Sequence, residues 1–212
     1  MFEVIDLTKR LHKSSLSYPG DERVLIIERI DVGDPTCQVS RLAHLDLHGG
    51  THIDAPLHFI PGGADVAALT LQLLPAVLVE TSHCPIGPAD LPNEIAGCAV
   101  LFSTGWERRK DAPEFFSEYP YLAAEAAQAL VDGGAALVGL DTPSADPMKE
   151  PYEFPVHRIL LRAGIPIVEG LCNLPLLHRI AGEIWFGCFP LPIEGVEGSP
   201  VRAIALTPRD TA

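Results

Sequence analysis

The sequence predicts an α/β fold, a mixed β-sheet or partial barrel in one domain with helices packed outside it. Three observations lead there. Nine short apolar segments bounded by Gly, Pro or Asp read as strands, two segments have a helical pattern, and tandem strands in the first half give way to strand-helix-strand units in the second. With 47% hydrophobic and 20% charged positions, 212 residues can bury on the order of 70% of their unfolded surface in one core. No internal repeat, low-complexity tract or linker divides residues 1–212.

The strands are expected at residues 2–7, 24–30, 42–47, 76–80, 99–102, 136–140, 165–169, 184–189 and 201–206, many of them rich in Val and Ile. A helix is expected over 122–131, where alanines and leucines run up to Gly133-Gly134, and another over 156–163, stopped by Gly164. The 20 prolines and 18 glycines fall mostly in the turns between them.

Composition excludes several functions. A formal net charge of −13 repels phosphate backbones, and no basic cluster interrupts it, so nucleic acid is not expected as a partner. No run approaches the roughly 18 apolar residues of a membrane span, and Met1-Phe2-Glu3-Val4-Ile5-Asp6 lacks the basic start and apolar core of a signal peptide, which predicts a cytoplasmic protein. Cys37, Cys84, Cys98, Cys172 and Cys188 are odd in number and widely spaced, as expected of reduced, buried thiols.

The chemistry concentrates at His48-Gly49-Gly50-Thr51-His52-Ile53-Asp54-Ala55-Pro56-Leu57-His58-Phe59. With His44, this puts four histidines within 15 residues, where eight spread evenly over the chain would place about half of one. Leu45 and Leu47 alternate with His44, Asp46 and His48, as in a strand with one polar face, and Gly49-Gly50 lets the backbone turn sharply. Such a turn brings His48 back towards His52 and Asp54, offering two imidazoles and a carboxylate, a set suited to Zn²⁺ or Mn²⁺. Asp54, with two oxygens, could bridge two ions. The glycine pair argues against a helical H-E-x-x-H arrangement. His58 follows at a spacing that need not coordinate, and imidazole exchanges protons near neutral pH; a third histidine ligand is the alternative. His44 lies farther from the glycine turn, and whether it reaches the site stays open.

The pattern His-x-Gly-Thr-His-x-Asp-x-Pro-x-His resembles the signature of the cyclase family of metal hydrolases, which includes bacterial kynurenine formamidases and isatin hydrolases. The resemblance extends to Tyr18-Pro19-Gly20-Asp21, Asp141-Thr142-Pro143-Ser144-Ala145-Asp146 and Ile167-Val168-Glu169-Gly170-Leu171, in the family's order. It implies a swivelling β/β/α-like fold and a binuclear centre, usually zinc, with manganese as the alternative. In that centre His48, His52 and Asp54 bind one ion, and Asp54, His157 and Glu169 bind the other. It gives His58 the role of proton-transfer residue, Tyr18 a place against the substrate, and the protein a homodimeric or larger assembly. Asp141 and Ser144 are expected to support the loop or a ligand, although local turn chemistry favours the same residues.

The activity implied is hydrolysis of a C–N amide bond in a small aromatic substrate, with N-formylkynurenine, and hence tryptophan catabolism, the leading expectation. Tyr18, Phe59 and Trp106 are candidate aromatic walls. Two departures bear on substrate. Tyr18 stands where kynurenine formamidases usually have Trp, and Met148-Lys149-Glu150-Pro151-Tyr152-Glu153-Phe154-Pro155 replaces a Ser-Lys-containing stretch. A cyclic amide hydrolase of the isatin type is therefore the alternative, and a non-catalytic metal or small-molecule binding protein is the alternative of another class. A serine hydrolase is disfavoured because no Gly-x-Ser-x-Gly elbow occurs.

Overall fold

The computed structural model describes residues 2–12, 15, 24–180 and 182–208. Tyr18 and its Pro-Gly-Asp turn lie outside the described residues. The strands are β1 (Phe2–Asp6), β2 (Leu25–Ile30), β3 (Val39–Leu45), β4 (His52–Asp54), β5 (Leu73–Glu80), β6 (Ala99–Ser103), β7 (Leu137–Leu140), β8 (Ile167–Glu169), β9 (Ile184–Pro190) and β10 (Gly198–Pro208). The α-helices are α1 (Ala124–Asp132) and α2 (Pro155–Arg162).

The main sheet runs β1-β10-β4-β8-β7-β6-β5-β9, and β10 also pairs with β9. Seven strands, β4 to β10, thus close into a ring, with β1 added along β10. Closure rests on β10, which meets β4 through Gly198–Pro200, β9 through Val201–Leu206 and β1 through Ile204–Pro208. The expectation of a mixed sheet or partial barrel holds, and closure goes beyond it. β5 to β8 are parallel, with α1 and α2 in the connections after β6 and β7; the remaining pairings are antiparallel.

β6 and β7 are buried along their whole length, which is why they read as continuous apolar runs. Period-2 alternation sends Val100 and Phe102 to the face covered by Leu130 of α1 and Leu160 and Leu161 of α2. Ala99 and Leu101 join the opposite cluster, with Phe186 and Ala203. Each expected strand is present, with shifted ends.

α1 begins two residues later than the pattern suggests because the Leu122 and Ala123 amides donate to Ala145 and Ile86 carbonyls, holding the chain extended. α2 takes Pro155 in its first turn, where a missing N–H is harmless, and stops at Gly164, whose φ of 77° suits glycine.

Two expectations are corrected. β3 ends at Leu45, so His48 is placed by a turn and not by strand alternation: Gly49 N donates to Asp46 O and His48 N to Asp46 Oδ1. β2 and β3 form a separate hairpin, on which His44 is exposed opposite Ile26. The cysteines are unpaired, yet only Cys188 is buried; Cys37 and Cys84 are exposed. No helix among the described residues is long and apolar enough to cross a membrane.

Candidate metal centre and active site

β4 is the strand that sequence reading missed, because three residues are too few for a periodic signal. Its pairing with β8 sets His52 opposite Glu169 and Asp54 opposite Ile167. Alternation puts His52 and Asp54 on one face and sends Ile53 into the core, so the strand delivers two polar side chains beside Glu169. His157 enters from the first turn of α2, His48 from the turn after β3, and His58 from the 3₁₀ turn Pro56–His58. All five expected ligands and His58 meet in one place.

Asp54 is at the middle. Its Oδ1 lies 2.9 Å from His48 Nδ1 and 3.5 Å from His52 Nε2, and its Oδ2 lies 3.5 Å from His157 Nε2. Glu169 Oε2 lies 3.5 Å from His52 Nε2, and its Oε1 3.2 Å from His157 Nε2. Despite this proximity, both Asp54 oxygens and His48 Nε2 are buried with no aligned hydrogen-bond partner. Buried carboxylate oxygens left in this way are costly unless a cation meets them. A tetrahedral ion with bonds of about 2.0–2.1 Å separates its ligands by roughly 3.3 Å, which is the spacing found. The donor set of imidazoles and carboxylates, without thiolates, fits zinc or manganese.

Two sets of atoms within 4.8 Å of one another share Asp54: His48, Asp54 and His58, and His52, Asp54 and Glu169. This grouping differs from the one implied by resemblance. His58 joins His48, its ring stacked at 4.4 Å, and His52 joins Glu169 across the ladder. Burial pushes the His58 pKa down to about 4 against the pull of Asp54, leaving a neutral imidazole at neutral pH. Burial would lower His48 too, but Asp54, Glu169 and Glu197 outweigh it and raise it to about 9. Asp54 itself is held well below its ordinary value: burial would raise it, and His52, His157 and His48 prevail.

The supporting contacts come from residues 141–146: Asp146 and Ala145 reach the ligands themselves, while Asp141 and Ser144, the two singled out, hold the loops. Asp146, fully buried, accepts from the Val156 and His157 amides and takes His157 Nδ1 at 2.7 Å, which caps α2 and turns His157 Nε2 towards Asp54. The Ala145 amide donates to Glu169 Oε1 at 2.7 Å. Asp141 instead accepts from Thr104 and Gly105, fastening the loop after β6. Ser144 Oγ accepts from the Asp146 amide at 3.3 Å. An acid preceding a helix start by nine residues has no local sequence signal, so the role of Asp146 was invisible beforehand.

Among the proposed aromatic walls, Phe59 stands beside His58 and 4.9 Å from the His157 ring. Trp106 is 6% exposed and packs with Phe115, its Nε1 donating to Phe115 O. Phe115 and Phe116, not anticipated, line a cavity of about 760 Å³ that opens on His48 and His52. The departing segment adjoins the site: Tyr152 stacks on Phe154, whose ring lies 5.4 Å from that of Phe59.

A second polar chain was also unforeseen. His178 Nε2 lies 3.1 Å from Ser103 Oγ, and its Nδ1 lies 2.6 Å from Glu80 Oε2. The order is that of a serine-hydrolase triad. Ser103 is 3% exposed, however, and none of the three lines the cavity at His48 and His52.

The family model Cyclase matches residues 5–147. A kynurenine formamidase from Bacillus mycoides is 33% identical over 205 residues, covering 94% of this chain and 95% of that one. A structure described as a potential metal-dependent hydrolase with cyclase activity superposes with a TM-score of 0.80 at 28% identity, covering 99% of this chain and all of the other. Isatin hydrolase A from Ralstonia solanacearum gives 0.81 at 26% identity, covering 98% and 92%. Sequence, fold and motif agree, and the chain belongs to the cyclase family.

Proposed function

We propose that the chain acts over residues 1–212 as one metal-dependent hydrolase domain that cleaves an amide C–N bond in a small aromatic molecule, N-formylkynurenine first among the candidates. One observation carries the reading: five side chains from five parts of the chain converge on Asp54, whose two buried oxygens lack hydrogen-bond partners among the described residues. His48, His52, Asp54, His157 and Glu169 are the residues that would hold two divalent ions, zinc or, alternatively, manganese. Such ions supply an acidified water and polarise a carbonyl oxygen.

The remaining work falls to the chain's own side chains. Asp146 locks His157 in the tautomer that keeps Nε2 free to face Asp54, and the Ala145 amide holds Glu169 in place. His58, neutral and beside His48, takes a proton from water and returns it to the leaving nitrogen. For N-formylkynurenine, water and the formamide become formate and an aromatic amine. Phe59, and Tyr18 outside the described residues, would flank the ring. The reading places the protein in the cytoplasm, as a homodimer or larger assembly.

Opening of a cyclic amide is the second reading, favoured by the likeness to an isatin hydrolase at 26% identity. The deciding experiment strips the protein of metal, restores zinc, and follows N-formylkynurenine hydrolysis. Turnover that returns only with metal supports the first reading. Zinc binding without turnover of this substrate rejects it, and isatin is then assayed.

A further inference from the structure

The cavity at His48 and His52 is also lined by Lys9, Arg10, Arg108 and Lys110. In a chain of net charge −13 this is a local reversal. Among the described residues, lysine and arginine ion pairs are Arg41–Glu28, Arg109–Glu114 and Arg202–Asp6, and none of the four cavity cations takes part in one. The carboxylates nearby are otherwise engaged or turned to solvent. Asp6 is held by Arg202 at 2.6 Å, Glu107 accepts from the Asn173 amide at 2.6 Å, and Asp111 is exposed.

Arg10, Arg108 and Lys110 are exposed, while Lys9 is partly buried. Its position is tightly defined. The Lys9 amide donates to Thr51 Oγ1 at 2.8 Å, and that hydroxyl donates to Gly170 O at 2.7 Å. Lys9 Nζ lies 3.5 Å from where a Cβ on Gly170 would stand and 5.3 Å from the centre of the Phe115 ring. Thr51 precedes His52 and Gly170 follows Glu169, so the Lys9 backbone is fastened beside the metal centre and its ammonium stands on a cavity wall. Burial lowers its pKa, and Asp141, Cys172 and Glu107 draw it back only in part. A partly desolvated ammonium without an ion-pair partner among the described residues, next to an open cavity, is a binding site for an anion.

We propose that Lys9 is the substrate's anion anchor, and that the amide cleaved here carries a carboxylate placed away from the scissile bond. This rests on the hydrolase reading above and narrows its substrate class: N-formylkynurenine has such a carboxylate, and a neutral cyclic amide does not. The outer cations Arg108 and Lys110 draw the anion in, and Lys9 receives it.

The test compares two substrates of the zinc-loaded protein: N-formylkynurenine and N-(2-acetylphenyl)formamide, the same arylformamide without the amino-acid arm. K9M is expected to lower the charged-to-neutral ratio of kcat/KM about tenfold, or about 1.4 kcal/mol, mainly through KM, and K9R to restore most of it. A ratio unmoved in K9M overturns the proposal. If wild type cleaves neither compound, the arylformamidase reading fails on its own, and calorimetry then compares kynurenine with 2-aminoacetophenone. Tighter binding of kynurenine that K9M abolishes supports the anchor; equal or no binding of the two overturns it. Should K9M fail to fold, the surface double variant R108A/K110A is expected to lower the same ratio about threefold, as exposed charges do, and an unchanged ratio there overturns the proposal.

Discussion

His52, Asp54 and Glu169 stand on paired strands and are at most 2% exposed, whereas His48 and His58 stand on a turn and on one 3₁₀ turn and are only partly buried. The first group is positioned by backbone hydrogen bonds between β4, β8 and β10, which hold Cα atoms in register whatever the side chains do. The second is positioned by local turn contacts: Gly49 N on Asp46 O, Asp46 Oδ1 on the His48 amide, the His58 amide on Ala55 O, and the stacked imidazoles of His48 and His58. One half of the centre thus stands on ladder-paired strands, a floor, and the other on turns, a wall. Ligands on the floor should set affinity, and residues on the wall should tune turnover.

Four substitutions break or sharpen that contrast. The largest effect is expected from Asp54→Asn, because both ligand sets share this carboxylate. Metal analysis should show both ions lost, with affinity falling by more than the roughly 10–100-fold that removal of a supporting hydrogen bond costs. Retention of one ion at normal affinity would show that Asp54 does not bridge. Next, His58→Asn should lower kcat by about 10²–10⁴-fold, the usual worth of a general acid or base, with metal content unchanged. A drop in metal content would instead make His58 a ligand, as its grouping with His48 also allows.

Asp146→Asn leaves the floor intact but frees the His157 ring. Competition with a chromogenic chelator should read a loss of about 10–100-fold in affinity for one ion. Affinity equal to that of wild type would assign Asp146 to helix capping alone. The smallest effect is expected from Gly198→Ala. A Cβ there would come within 2.7 Å of His48 Cε1, so the imidazole must shift by a fraction of an ångström while it stays available as a donor, and zinc affinity should change less than in Asp146→Asn. A larger change than that would mean the wall is as rigid as the floor.

The same contrast explains how much was legible beforehand. The strands and helices showed because β6 and β7 are continuous apolar runs and α1 is a run of helix formers ended by glycines. The His48–Asp54–His58 cluster showed because its members are close in sequence, and His157 and Glu169 were matched only through family resemblance. β4 did not show, since a three-residue strand has no period, and neither did the reach of Asp146 back to α2. Lys9, Phe115 and Phe116 join the cavity from chain positions about 40 residues before and 60 residues after the motif, and nothing local marks them.

Local chemistry alone therefore determined an α/β chain with a histidine-aspartate cluster apt for divalent metal. Only the tertiary structure decided that His52 faces Glu169, that Asp54 sits between two ligand sets, that β10 closes the ring, and that Lys9, without an ion pair among the described residues, stands on the cavity wall. The physical reason is one of range. Hydrophobic period, turn chemistry and ligand spacing act over a few residues, whereas strand register and burial of charge arise from partners far apart in the chain, whose pairing no short segment encodes by itself.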